Sequence, residues 1–218
     1  MELINIITRW IFMATVTGFY TGSTESEVEK QFADLKSVST ADEFVAYLEK
    51  IINTRFTDDF FTVTLPNALN SSAAAPPPWN AYLASLIVLN TPMLFSTTPL
   101  AQFFTAGSSG DKNSIDRHHL FPKNYLAQIG YENDRDRNQI ANFTYIDYPT
   151  NIDIKDDPPA QYVTRFKAKL GEAAFVSFCE QHALPDGFEN MEYMEFLSKR
   201  RILMAETIRK AYNKLCTM

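Results

Sequence analysis

The chain has 218 residues, of which 45% are hydrophobic and 13% aromatic, enough for one packed core and too apolar for global disorder. Its formal net charge of −6 argues against a simple nucleic-acid coating protein. Two cysteines, Cys179 and Cys216, lie far apart in sequence and from the histidines; they exclude a disulfide scaffold or a cysteine-ligated zinc finger and fit a reducing, cytoplasmic setting.

The opening stretch, MELINIITRWIFMATVTGFY (1–20), is apolar but broken by Asn5 and Arg9, and no basic segment precedes it. It predicts a buried or partly buried helix, not a signal peptide or a membrane span. The pattern starts without a capping residue, as it would in a piece of a longer protein. Two Ser/Thr-x-x-Glu patterns, Thr24 to Glu27 and Thr40 to Glu43, predict capping boxes at the starts of helices over 23–35 and 39–52. Phe44, Leu48 and Ile51 then recur at helical spacing. Three prolines at 76–78 mark a loop or helix entrance ahead of a core helix over 79–90.

The small and polar stretch TAGSSGDKN (105–113) reads as a linker. It divides a helical region, 1–110, from a second region, 111–218, within what is expected to be one compact unit. The acidity belongs to the first region: five Lys/Arg stand against ten Asp/Glu up to Gly110, whereas nine of each fall between Asp111 and Leu170. Beyond the linker comes IDRHHLFPKNYL (115–126), which holds two of the chain's three histidines side by side. Asp116 and His118 share one face of a strand, and Pro122 predicts that the strand stops near His119. A short helix follows, stopped by Gly130. The charged stretch 131–139 reads as a solvated loop, and Phe143 to Ile146 as a short strand turning at Pro149. Helices resume in PPAQYVTRFKAKL and over the C-terminal stretch. The third histidine, His182, falls near a helix end, where capping of carbonyls is the expected role. Cys179 reads as core, and Tyr20, Trp79 and Tyr162 as core or interface aromatics. The last helical stretch carries six basic residues against one acidic between 198 and 215, which suits a solvated face or, less simply, a track along DNA.

Taken together, DRHHLFP and IANFTYIDYPTN resemble the HNH, or ββα-metal, endonuclease motif, with Asn142 and Asn151 nine residues apart as in that pattern. Within the group the resemblance is to the nuclease region of GmrSD-like, modification-dependent restriction endonucleases, through HHLFPK and NQIAN. It extends upstream to RWIFMATVTGFYTGSTES and FTDDFFTVTLPNAL. The resemblance implies a mainly α fold with a small embedded ββα-metal motif. It implies metal-dependent hydrolysis of DNA phosphodiester bonds by the effector region of a restriction or phage-defence protein. His119 matches the general base and Asn142 the asparagine that steadies the loop holding it. His118 and Asn151 match the metal ligands, with Asp116 as an outer partner or additional ligand and Lys155 as a phosphate contact. One divalent ion is implied, Mg²⁺ first, although a histidine in place of the family's frequent aspartate makes Mn²⁺, Ni²⁺ or Zn²⁺ more competitive. The partners implied are DNA and an N-terminal nucleotide-hydrolysing domain, with no membrane. The alternative is a catalytically silent module that binds DNA or a partner protein.

Overall fold

The computed structural model describes residues 2–73, 76–104 and 115–218, and the side chains of Ile115 and Asp116 lie outside that set. The expected linker, 105–113, also falls outside it. Helix α1 (Glu2–Thr17) buries Ile6, Phe12, Met13 and Val16 and leaves Ile4 and Ile11 exposed, so only one stripe faces the core. Among the described residues no helix is long and apolar enough to cross a membrane.

Helices α2 (Thr24–Leu35) and α3 (Ala41–Arg55) follow. The capping box of α3 forms as expected: the Glu43 amide donates to the Thr40 hydroxyl (3.2 Å) and the Thr40 amide to the Glu43 carboxylate (3.2 Å). The expected box at Thr24 does not form. Ser23 is the N-cap there, and the Thr24 hydroxyl donates back to the Tyr20 carbonyl (2.6 Å). A hydroxyl beside a turn has two backbone groups to choose from, and here the preceding carbonyl wins.

A short π-helical turn, Phe60–Thr64, leads into α4 (Leu65–Ala68). Helix α5 (Pro77–Val88) starts on the proline run, where a missing amide is no loss. It packs against α1 and against the C-terminal helix, α11 (Tyr193–Cys216), and so ties the two sequence regions together. Its Trp79 also lies against Phe143 and Tyr145, with ring centroids 6.0 and 5.9 Å away.

Those two rings belong to the small sheet. Strands β1 (Ile115–His119) and β2 (Phe143–Asp147) pair antiparallel, from Ile115 opposite Asp147 to His119 opposite Phe143. Strand β1 ends at His119 as Pro122 predicted, and α6 (Lys123–Gln128) starts directly after that proline. Gly130 follows α6 with φ of 101°, a value that favours glycine. The charged stretch is not all loop, because Asp134–Arg137 make one helical turn, α7, capped by the Asn133 side chain. Strand β2 passes straight into α8 (Tyr148–Ile154), whose first turn is capped by Asp147 donating nothing and accepting from the Thr150 amide (2.9 Å). Helices α9 (Pro159–Leu170) and α10 (Glu172–Gln181) complete the chain before α11. The architecture is therefore mainly helical, with a two-stranded antiparallel sheet set between helices.

Cys179 is buried and its thiol is pushed up to about 12, chiefly by desolvation, which fits a packing role. Trp79 and Tyr162 are buried as expected.

Candidate functional site

The site starts from the problem of the chain leaving β1. Residues 120–122 run through the interior, where unpaired amides and carbonyls are costly. Asn142 solves this. Its carbonyl accepts from the Leu120 amide (2.8 Å), and its side-chain oxygen accepts from the Phe121 amide (2.8 Å). Its side-chain amide donates to the Phe121 carbonyl (3.0 Å) and the Arg137 carbonyl (3.2 Å). The residue is wholly buried, so it touches no substrate and acts by holding the β1 exit against the loop before β2. Tyr162 adds a bond from its hydroxyl to the Leu120 carbonyl (2.8 Å).

His118 and His119 end β1, just before the fastened segment, and each histidine meets a different asparagine. His118 is buried and turned to α8, with its Nδ1 3.1 Å from the Asn151 side-chain oxygen. His119 is half-buried, with its Nε2 3.1 Å from the Asn138 side-chain oxygen and its ring edge-on to Phe143. An amide oxygen only accepts, so Nε2 of His119 carries the proton and Nδ1 keeps its lone pair. Burial pushes the His119 pKa below its ordinary value; the Asn138 bond opposes this, while Lys123, Arg117 and Arg137 lower it further. His119 is therefore a neutral imidazole at neutral pH, in a positive field.

The His118–Asn151 pair can be tested as a metal site. Two neighbouring ligands of an octahedral ion with bonds of about 2.1 Å stand about 3 Å apart. The observed 3.1 Å matches that spacing but is equally a hydrogen-bond distance, with the proton on Nδ1 of His118 by the rule used for His119; an imidazole with an amide oxygen is a borderline donor set that would hold an ion once that bond opens. Among the described residues no group of three or more His, Cys, Asp or Glu comes together. Two protein ligands would leave the other positions of a bound ion to water. Asp116 pairs through its backbone with Ile146, and its side chain lies outside the described residues. Lys155 follows α8 with φ of 51°, its amide donating to the Asn151 carbonyl (3.0 Å) and its side chain exposed.

His182 lies at the C-terminus of α10 but does more than cap it. It is completely buried, with Nε2 donating to the Pro92 carbonyl (3.0 Å) and Nδ1 facing the Thr144 hydroxyl (3.4 Å). Its carbonyl accepts from Tyr82 (2.9 Å) and Arg200 (3.4 Å). Arg200, also fully buried, donates to the Ala141 carbonyl (2.7 Å), one residue before Asn142. This changes the reading of the basic stretch in α11. Lys199 pairs with Glu195 (2.7 Å), Arg201 bonds Asn70 (3.1 Å), Arg209 pairs with Asp58, and Lys214 donates to the Val88 carbonyl (2.8 Å). Lys199, Lys210 and Lys214 are exposed, the solvated face expected of this stretch, and Arg200 is the basic residue that is carried into the core.

Sequence reasoning missed Asn138, Arg117, Lys123 and Ser72, which surround His119. Ser72 lies far off in the chain, whereas Arg117, Lys123 and Asn138 fall within DRHHLFP, HHLFPK and NQIAN and carry no assigned role there. Comparison with protein-family models, with curated proteins and with solved structures found no match.

Proposed function

We propose that the protein is a metal-dependent endonuclease of HNH type that hydrolyses DNA phosphodiester bonds. The observation that supports this best is the division of labour between adjacent histidines, His118 toward Asn151 and His119 toward Asn138. A strand pair followed directly by a helix bearing Asn151 is the arrangement the resemblance calls for.

On this reading Nδ1 of His119 accepts a proton from the water that attacks phosphorus, with Asn138 holding the opposite edge of the ring. A depressed pKa keeps that nitrogen unprotonated at neutral pH. Asn142 keeps the segment after His119 in place. His118 and Asn151 would hold the divalent ion, Mg²⁺ or a softer competitor, which when bound stabilises charge on the phosphate and the departing 3′ oxygen. The wider setting, a restriction or phage-defence effector that works with a nucleotide-hydrolysing domain, rests on the sequence resemblance alone.

The test is cleavage of modified and unmodified plasmid with Mg²⁺, Mn²⁺ or Ni²⁺ and with EDTA, beside His119→Ala. Metal-dependent cutting that disappears in the variant supports the assignment. Wild-type cutting by His119→Ala refutes the assigned base. Metal binding without cutting under any of these conditions favours the silent module.

A further inference from the structure

The face of β1 that carries His119 opens on a cavity of about 280 Å³ lined by Ser72, Arg117, His119, Lys123, Asn138 and Phe143. Arg117 and His119 are two apart on the strand and share this face, whereas His118 turns to α8 and Asn151.

The donors come from two parts of the chain, Ser72 and the stretch from Arg117 to Lys123. Arg117 is exposed and stacks its guanidinium 4.4 Å from the centre of the Phe143 ring, which fixes its plane at the cavity edge. Lys123 is half-exposed, its ammonium 3.7 Å from Asp134. Ser72 follows two fastened residues. The Ile140 amide donates to the Ser71 carbonyl (2.8 Å), and Arg201 bonds the Asn70 side chain (3.1 Å). Behind these, Arg137 pairs with Asp134 (2.8 Å). Arg117, Lys123 and Arg137 gather here, with Asp134 against the last two, in a chain whose net charge is −6. A concavity with a planar guanidinium, an ammonium and a hydroxyl, and with no carboxylate in its lining among the described residues, suits a phosphate group.

We propose that Ser72, Arg117 and Lys123 form a subsite that grips a phosphate of the nucleic-acid backbone without help from the divalent ion. The choice of a nucleic-acid phosphate rests on the phosphodiesterase reading; the cation-lined cavity does not. Such a grip supplies affinity and register along the strand and carries no base preference.

Binding of a labelled short duplex to the full chain, in EDTA and across a range of salt concentrations, tests this. Inorganic phosphate serves as competitor. Arg117→Gln and Lys123→Gln should each weaken the duplex by about tenfold, because each removes a charge-assisted bond. The slope of log affinity against log salt should become shallower by about one for each cation removed. Ser72→Ala should weaken binding less, and Lys199→Gln on α11 should leave it unchanged. Both cation sites are open to solvent, so melting temperatures should match the wild type. Wild-type affinity and salt slope in both cation variants would overturn the subsite, as would absence of duplex binding in EDTA. Saturation by inorganic phosphate with no duplex binding would overturn the backbone assignment. Because nothing is cleaved in EDTA, an intact grip beside failed cutting with metal would count against the nuclease reading alone.

Discussion

His182 makes the stability of this protein depend on pH in a range where few other groups change charge. It is fully buried, its Nε2–H is committed to the Pro92 carbonyl, and the Arg200 guanidinium lies on its own carbonyl. Burial first, and the Arg200 charge second, lower its pKa to about 3. An unfolded histidine titrates near 6.5. As pH falls below that value, the unfolded chain takes up a proton that the folded chain refuses until about pH 3. The full stability is thus present above about pH 6.5 and is lost progressively on the acid side. Between pH 7.5 and 5.0 the loss from this residue is about 2 kcal/mol, from 1.36 kcal/mol per pH unit over about 1.5 units. Urea unfolding at the two pH values should show a midpoint lower by about 1 M at pH 5.0, given a slope of about 2 kcal/mol per M.

The perturbation that isolates this contribution is His182→Gln. Glutamine retains an N–H for the Pro92 carbonyl and does not titrate. The variant should start less stable at pH 7.5, because its fit beside Thr144 is imperfect. It should then lose about 2 kcal/mol less than wild type on moving to pH 5.0. His119, whose pKa is also lowered, contributes equally to both proteins and cancels in the comparison. Parallel pH dependences in wild type and variant would refute the reasoning. So would an imidazole titration of His182 in the folded protein near 6.

Asn142→Ala strands the Phe121 amide and carbonyl inside the protein, and should cost about 2–4 kcal/mol by chemical denaturation, with cleavage reduced at temperatures where the fold persists. Arg200→Met removes a buried cation and leaves the Ala141 carbonyl unsatisfied; a loss of about 2–3 kcal/mol is expected, together with a rise of the His182 pKa measured by NMR. Asn138→Asp places a carboxylate against Nε2 of His119 and favours the imidazolium. The acid limb of the cleavage profile should move to higher pH by about one unit or more. A profile that does not move would separate Asn138 from the proton transfer.

Much of the local structure was legible in the chain because short-range chemistry sets it. Thr40 and Glu43 are three residues apart, and the geometry of a helix start brings them together whatever lies elsewhere. Pro122 cannot continue a ladder, so β1 stops at His119. Gly130 tolerates the positive φ that ends α6. Asn142 and Asn151 stand out by their nine-residue spacing, and the structure puts the first at the β1 exit and the second beside His118. Thr24 shows the limit of the same logic. Its hydroxyl had two acceptable local partners, and the turn before α2 decided between them.

What only the tertiary structure decided are the contacts between residues far apart in the chain. Arg200 sits in a run of basic residues that reads as a solvated face, yet α11 packs against α5 and carries it inside, to the carbonyls of Ala141 and His182. His182 reads as a helix cap and proves to be a buried neutral imidazole bonded to Pro92, 90 residues earlier. Asn138 opens the NQIAN stretch without an assigned role and Ser72 carries no signal in its neighbourhood; the two meet around His119 because the loop at 69–73 is hydrogen-bonded to Ile140. The amino-acid sequence by itself determined several helix starts, the end of β1 and which histidines stand together. The tertiary structure decided which of those polar groups are desolvated and what faces them, because burial and charge depend on neighbours in space, and no period along the chain encodes them.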